Sequence, residues 1–297
     1  MKALETVALI GFGEAGAILG HDLAAHGVMV RMHDRLLVAP QSREAMLAKA
    51  VQANVEAFDS AVQAVQGAQL VISAVTAGSA LQIAVELAPH LRGGQVFMDI
   101  NSVAPSTKQA ASAAVEQGLA LYVDAAVMAP VPPKRLQTPI LLGGALAPQV
   151  AQWLTPLGFN VSVVAAEIGV ASAIKMCRSI MIKGLEALTT ECLSTARQYG
   201  AEVPVLASLH KSFPGMGWDG PQPHYLISRV AEHGRRRAEE MEEVARTAAD
   251  VGVEPNMSRA VVATQRGLVE AMAAQGIGYA EPFDWTHLVD ALHAGAF

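Results

Sequence analysis

The sequence predicts a mostly parallel α/β domain followed by an all-helical domain. Three observations predict it. Short apolar runs alternate with amphipathic stretches through the first half of the chain, the pattern of βαβ units. A glycine-rich turn sits directly after the first apolar run. The strand pattern then stops after Val164, and from Glu167 onward the apolar spacing is helical. A length of 297 residues also favours two domains over one. The boundary is placed at 166/167, giving domains 1–166 and 167–297.

Taken in order, Thr6–Ile10 reads as the first strand. The turn Gly11-Phe12-Gly13-Glu14-Ala15-Gly16 and a helical run to His26 follow it. Val28–Met32 is the next strand, and Leu70–Val75 follows a stretch rich in Ala and Gln. Val96–Ile100, Leu121–Val127, Ile140–Leu142 and Val161–Val164 complete the set. Ile168–Tyr199 reads as one long helix. Pro204, Pro214, Pro221, Pro223 and Pro255 punctuate the helices beyond it.

Composition narrows the function classes. Charged residues make up 16% of the chain and hydrophobic ones 52%, against about 25% charged in typical soluble proteins. Such a chain must bury a large core or a large subunit interface, and disorder is excluded. The formal charge of -6 argues against a nucleic-acid partner, which requires a basic stripe. It leaves room for a small acidic substrate, which needs only a local positive pocket. No uncharged apolar run is long enough to span a membrane. The N-terminal apolar stretch is flanked by Glu5 and Glu14, and it reads as strand and loop rather than as a signal peptide. A cytoplasmic protein is therefore expected. Cys177 and Cys192 cannot build a structural zinc site alone, no metal is expected, and both are expected to be small buried apolar residues.

Gly11, Gly13 and Gly16 fit G-x-G-x-x-G, and here the pattern leaves a predicted strand and opens a predicted helix. The first glycine permits the tight turn, the second lets backbone approach a pyrophosphate, and the third lets the helix pack closely. Unpaired N–H groups at the helix start complete an anion site. This predicts a Rossmann-type doubly wound sheet that binds a dinucleotide through Gly11, Phe12, Gly13, Glu14, Ala15 and Gly16. Asp34 lies 18 residues after Gly16, close to the roughly 20 expected of the acid that bonds the ribose hydroxyls. A carboxylate there favours NAD, whereas Arg35 beside it suits the 2′-phosphate of NADP. NAD is the expected cofactor, with NADP open. Val75 and Thr76, where the third predicted strand ends, join the expected cofactor set.

Ser172, Lys175 and Ser179 fall at i, i+3 and i+7 on the long helix, on one face. A lysine among Ala, Ile, Met and Cys should be poorly hydrated, which lowers its pKa toward neutrality and suits proton exchange. On spacing alone, a surface lysine on an amphipathic helix explains the pattern as well.

Together these residues resemble the β-hydroxyacid dehydrogenase family, relatives of the 6-phosphogluconate and 3-hydroxyisobutyrate dehydrogenases. The narrower likeness is to a subgroup with a distinct helical C-terminal domain. The glycine loop with Asp34-Arg35 is the first match. Asp99-Ile100-Asn101-Ser102-Val103-Ala104-Pro105 is similar to the family's D-x-S-T-x-x-P substrate segment, with Asn-Ser in place of Ser-Thr. Asp124 followed by Ala125-Ala126-Val127-Met128-Ala129-Pro130-Val131 stands where the family carries D-A-P-V-S-G-G. The family's glycines are absent here, and Asp124 is open to a structural role. Gly169 and Lys175 fit G-x-x-x-x-x-K-x-x-x-N, with Ser179 in place of the Asn.

The resemblance implies a hydride transfer between nicotinamide and a small hydroxy acid, and from the same resemblance a 3-hydroxy acid is expected. Lys175 is the implied general acid/base, with Ser102 and Ser179 completing the catalytic set. Asn101 lies near the nicotinamide, and Ser102, Val103 and Met128 line the substrate. A later basic run, His233-Gly234-Arg235-Arg236-Arg237, falls near the family's last substrate-facing segment. Arg236 is the candidate there, against a run of salt bridges with the neighbouring glutamates. A homodimer or higher homo-oligomer is expected. An imine reductase on the same fold is the alternative chemistry, although such enzymes usually replace the lysine. A protein that binds NAD(H) without turnover is the alternative class.

Overall fold

From Val7 onward every residue of Thr6–Ile10 (β1) is buried, which fits a central strand covered on both faces. The structure, a computed structural model, describes residues 3–294. It divides into two compact units, Met1–Met176 and Cys177–Phe297, and the division falls inside the long helix.

In the first unit β1 is followed by Glu14–Ala25 (α1), Met29–His33 (β2), Pro40–Gln52 (α2), Glu56–Ala57 (β3) and Ala61–Val65 (α3). Leu70–Ser73 (β4), Ala80–Leu87 (α4), Val96–Asp99 (β5), Pro105–Gln117 (α5) and Leu121–Val127 (β6) continue it. Ile140–Gly143 (β7), Ala147–Leu154 (α6), Val161–Ala165 (β8) and the start of Val170–Gln198 (α7) complete it. The sheet order is β3-β2-β1-β4-β5-β6-β7-β8. Its first six strands have the order of a doubly wound dinucleotide-binding sheet, which reverses direction between β1 and β4.

Alternation along each strand fills two cores. Val7, Leu9, Leu70, Ile72, Val96 and Met98 face one layer, formed by α1, α2 and α6. Ala8, Ile10, Val71, Phe97 and Tyr122 face the other, formed by α3, α4 and α5. The expected strands are present with ends shifted by a residue or two. Two features depart from the sequence reading. β3 is a two-residue edge strand paired to β2, too short to carry a periodic signal. β7 runs antiparallel to β6, joined by the connection 128–139, which carries no α-helix.

The second unit consists of the remainder of α7 with Glu202–Ser212 (α8), Gln222–Ala249 (α9), Asn256–Ala274 (α10) and Trp285–His293 (α11). Each proline expected to punctuate these helices lies at or near a helix start. Leu193, Ile227, Trp285 and Val289 form one apolar cluster, and Ala231, Met272 and Leu288 another. α9 and α10 pack backbone to backbone: a Cβ on Gly234 would stand 2.4 Å from the Gln265 carbonyl oxygen. Between the helices Glu186 accepts a two-pronged hydrogen bond from Arg237 and a further one from Gln265. Lys183 pairs with Glu240 at 2.8 Å. Cys177 and Cys192, expected to be buried, are exposed on α7, as are Met181 and Leu188. Their sequence neighbours Met176 and Leu193 are buried, so the cysteines lie on the other, exposed side of the helix. No helix among the described residues is long and apolar enough to cross a membrane.

Candidate active site

The expected dinucleotide loop is built as its spacing requires. Gly11 adopts φ +93, and a Cβ there would lie 2.4 Å from the Ala74 carbonyl oxygen at the end of β4. A Cβ on Gly16 would lie 2.3 Å from the Gly11 carbonyl oxygen, so α1 starts pressed against the loop. Gly13 faces open space, and as N-cap of α1 it brings no side chain to the first-turn N–H groups. The loop is therefore an open cradle of backbone donors at the point where the sheet reverses, and it fits a pyrophosphate. The Phe12 ring is fully buried, and its backbone N–H and C=O are engaged by Asp34 and Lys49, so this residue shapes the cradle from within.

Asp34 ends β2 and ties the cradle down. Its Oδ2 accepts from the Phe12 N–H at 2.6 Å and its Oδ1 from the Leu36 N–H at 2.9 Å. Each carboxylate oxygen can accept more than one hydrogen bond, which leaves Asp34 with acceptor capacity for ribose hydroxyls. Arg35 is exposed beside it, Val75 is half-buried and Thr76 is exposed.

Sequence reasoning missed Lys49. Its Nζ, from α2, donates to the carbonyl oxygens of Phe12 and Gly13, both at 2.9 Å. A trans peptide sets its C=O and N–H on opposite sides, so anchoring these carbonyls turns the Gly13 and Glu14 N–H groups away from Lys49. Only the position of Lys49 on a helix was visible in the sequence, and its partners lie 36 and 37 residues away.

Lys175, the expected acid/base, meets Ser102 at the neighbouring strand ends. Lys175, half-buried on the first turns of α7, donates from Nζ to Ser102 Oγ at 2.6 Å. Ser102 lies in the turn between β5 and α5. The Asn101 N–H in that turn donates to Asp99 Oδ1 at 2.8 Å, and Asn101 Nδ2 donates to Ser73 Oγ at 2.9 Å. Asn101 Oδ1 is buried with no protein hydrogen-bond partner, an acceptor available to an amide donor. Val103 is fully buried. Met128 is half-buried, and its N–H donates to the Pro139 carbonyl, which prolongs the β6–β7 ladder.

Beneath this pair lies a buried ionic cluster that spacing alone did not reveal. Register aligns Ser73, Asp99 and Asp124 side by side on three adjacent strands. Lys108 reaches down from α5 with no exposed surface. Its Nζ lies 3.0 Å from Asp99 Oδ1 and 3.6 Å from Asp124 Oδ1, and it donates to the Asp99 carbonyl oxygen at 2.6 Å. Tyr122 donates its hydroxyl to Asp99 Oδ2 at 2.6 Å. Burial, and after it the neighbouring Asp99 charge, hold that phenol in its protonated form, well above its ordinary pKa. Asp124 Oδ2 in turn caps α7, accepting from the N–H groups of Gly169 and Ser172 and from Ser172 Oγ at 3.0–3.1 Å. Gly169 makes this turn at φ +105.

In the second unit Ser179 is half-buried on α7, one turn past Lys175 in sequence. Arg236 is mostly exposed and pairs with Glu240 one turn along α9.

A test of the cradle follows from its support. Lys49→Met should weaken NADH binding in a fluorescence titration by about 5- to 30-fold, the loss expected when charge-assisted hydrogen bonds that fix the donors are removed. An unchanged dissociation constant in folded protein would take Lys49 out of the loop's support.

Comparison with known proteins agrees with the geometry. Residues 6–163 match the family described as the NAD binding domain of 6-phosphogluconate dehydrogenase, and residues 196–268 match a domain of unknown function (DUF1932). The 3-hydroxyisobutyrate dehydrogenase of Pseudomonas aeruginosa is 27% identical over 240 residues, 77% of this chain and 78% of that protein. A conserved hypothetical protein from Sinorhizobium meliloti 1021 has a crystal structure that superposes with a TM-score of 0.78 at 37% identity, over 99% of this chain and 97% of that one. The Mycobacterium tuberculosis 3-hydroxyisobutyrate dehydrogenase, solved with L-serine, shares the fold at a TM-score of 0.74 and 17% identity, over 97% and 99% of the two chains. With more than half of its length matched, this chain belongs to the family of the 6-phosphogluconate dehydrogenase NAD-binding domain, a nicotinamide-dinucleotide-binding family of hydroxyacid dehydrogenase-like proteins.

Proposed function

We propose that the protein catalyses reversible oxidation of a small hydroxy acid, a 3-hydroxy acid by its likeness to relatives, with NAD as cofactor. The observation that carries this reading is the 2.6 Å hydrogen bond between Lys175 Nζ and Ser102 Oγ, beside the dinucleotide cradle. In this reading the Gly11–Gly16 loop holds the pyrophosphate, Asp34 the ribose, and Asn101 the carboxamide side of the nicotinamide. The nicotinamide, when bound, supplies the hydride chemistry. Lys175 takes the hydroxyl proton at Nζ in oxidation and returns it to the forming alkoxide in reduction. Ser102 orients the reacting hydroxyl through the bond it now makes to Lys175. Ser179 is assigned to the substrate by its place one turn further along α7. Val103 is assigned to shaping the turn and Met128 to lining the substrate. Arg236, exposed and paired, is assigned to a substrate carboxylate supplied across a dimer.

Lys175→Met should lower turnover by about 100- to 10,000-fold, the usual worth of a general acid/base, and leave NADH affinity within a few-fold. Turnover that survives the substitution would sink the assignment.

Cofactor choice rests on Asp34, whose carboxylate is fixed at the end of β2 by two backbone N–H groups. A fixed carboxylate bonds ribose hydroxyls and repels a 2′-phosphate. NADH should bind more tightly than NADPH by about 10-fold or more in parallel titrations, an energy of about one charge-assisted hydrogen bond. Preference for NADPH would hand the role to Arg35.

The uncovered apolar side chains Met181, Ile182 and Leu188 on α7 support a homodimer. Light scattering should give about twice the chain mass of 31.1 kDa at micromolar concentration. A monomer mass there would count against it.

A further inference from the structure

We infer that Lys108 is a positioning residue that sets Lys175 against Ser102. This rests on the proposed role of that pair, and it adds a residue to which neither the sequence reading nor the family likeness gives a role. The contacts around the site close into a circuit, each link a hydrogen bond or close ion pair except that between Lys108 Nζ and Asp124 Oδ1, which at 3.6 Å is an ion pair without a hydrogen bond. Lys108 holds Asp99, and Asp99 Oδ1 holds the Asn101 N–H, which fixes the turn that carries Ser102. Lys108 also faces Asp124, and Asp124 Oδ2 holds Gly169 and Ser172, which fixes the first turn of α7 three residues before Lys175. Lys175 then closes the circuit on Ser102.

The two arms come from different segments, the β5–α5 turn and the start of α7, and Lys108 is the side chain that touches the anchor of each. It has no exposed surface and all its named partners are themselves buried, so it does not meet the substrate. Its action passes through Asp99 and Asp124. A misplacement of about 1 Å between reacting groups costs roughly 100-fold in rate, so an anchor common to both arms sets the rate without touching the chemistry.

The test is Lys108→Met, of similar length without the charge. Fold is checked by circular dichroism and by NADH titration. The reactivity of Lys175 is read in the cofactor-free protein, by its rate of acetylation with dilute acetic anhydride, quantified by peptide mass spectrometry. The expected result is a Lys175 labelling rate raised about 5- to 10-fold as its bond to Ser102 is released. In the same variant kcat should fall about 10- to 100-fold with KM and NADH affinity within threefold.

A folded Lys108→Met protein that labels and turns over as the wild type does overturns the inference. If that variant does not fold, Asp124→Asn decides. It keeps an oxygen for Gly169 and Ser172 and removes the charge that faces Lys108, and it should raise Lys175 labelling about threefold. Unchanged labelling there overturns the inference as well. Labelling needs no substrate, so the two readings fail separately. A protein that oxidises no hydroxy acid but whose Lys175 responds to Lys108→Met loses the proposed reaction and keeps the linkage. One that turns over with Lys175 indifferent to Lys108 loses the linkage alone.

Discussion

A lysine with no exposed surface, set between two carboxylates that have almost none, is the constraint on which the carboxyl end of the sheet depends. Taking charges out of water costs several kcal/mol per ion, and a buried cluster survives only if each charge is met by partners of good geometry. Here one ammonium faces two carboxylates, which leaves one negative charge over. The α7 N-terminus answers it. A helix of 29 residues presents unpaired N–H groups and a partial positive charge at its start, and Asp124 accepts from Gly169 and Ser172 there. Asp99 completes its set with the Tyr122 hydroxyl and the Asn101 N–H. Removing one member of such a cluster strands the others, at a cost of about 3–5 kcal/mol. The sheet, α5 and α7 are thus tied together where the chemistry is proposed to occur.

The same strand register explains why the glycine loop and the Lys175–Ser102 pair arise side by side. Ile10, Ser73, Asp99 and Asp124 form one row across β1, β4, β5 and β6. The glycine loop leaves β1 directly after Ile10, and the Asn101–Ser102 turn leaves β5 two residues after Asp99. Adjacent strands are about 4.8 Å apart, so the two turns spring from points roughly 10 Å apart with only β4 between them. Both turns sit outside the carboxyl ends of the strands at the reversal point of the sheet, where doubly wound folds bind their ligands.

What was legible in the sequence was local. Gly11, Gly13 and Gly16 announced themselves because their spacing between a strand and a helix is a local pattern, although Gly11 is pressed against Ala74, 63 residues further on. Asp34 was singled out by its distance from Gly16, and Lys175 by the family likeness, since its row on one helix suited a surface lysine as well. The strands were legible because β-runs covered on both faces are continuously apolar. Lys108 was not legible, since in Pro-Ser-Thr-Lys-Gln-Ala-Ala-Ser it looks like a solvent-facing residue on the first turns of a helix. It is buried only because register brings Asp99 and Asp124, 9 residues before it and 16 after, beneath α5. Lys49 was hidden for the same reason, because its partners are backbone carbonyls that no side-chain pattern encodes. The cysteines were misjudged as buried from their residue type, when the helix face they occupy is the one left uncovered.

The segment that departs most from the family's pattern constrains the substrate in its own way. Where relatives place glycines, this chain runs Met128-Ala129-Pro130-Val131-Pro132-Pro133-Lys134. A proline has no N–H, so three of these seven residues have no backbone donor for an anion. The start of the segment is fixed to β7 through the Met128 N–H, and the turn beyond it is fixed to α1 by the Arg135–Asp22 pair. A glycine loop offers donors and can mould itself to a ligand, whereas this one is stiff and poor in donors. If the substrate is an acid, as proposed, its carboxylate must therefore find its donors in the Ser102 turn and in charged side chains. The proline segment would act as a fixed apolar wall, so substrate choice within this protein should follow the shape of the carbon skeleton more than the pattern of its polar groups.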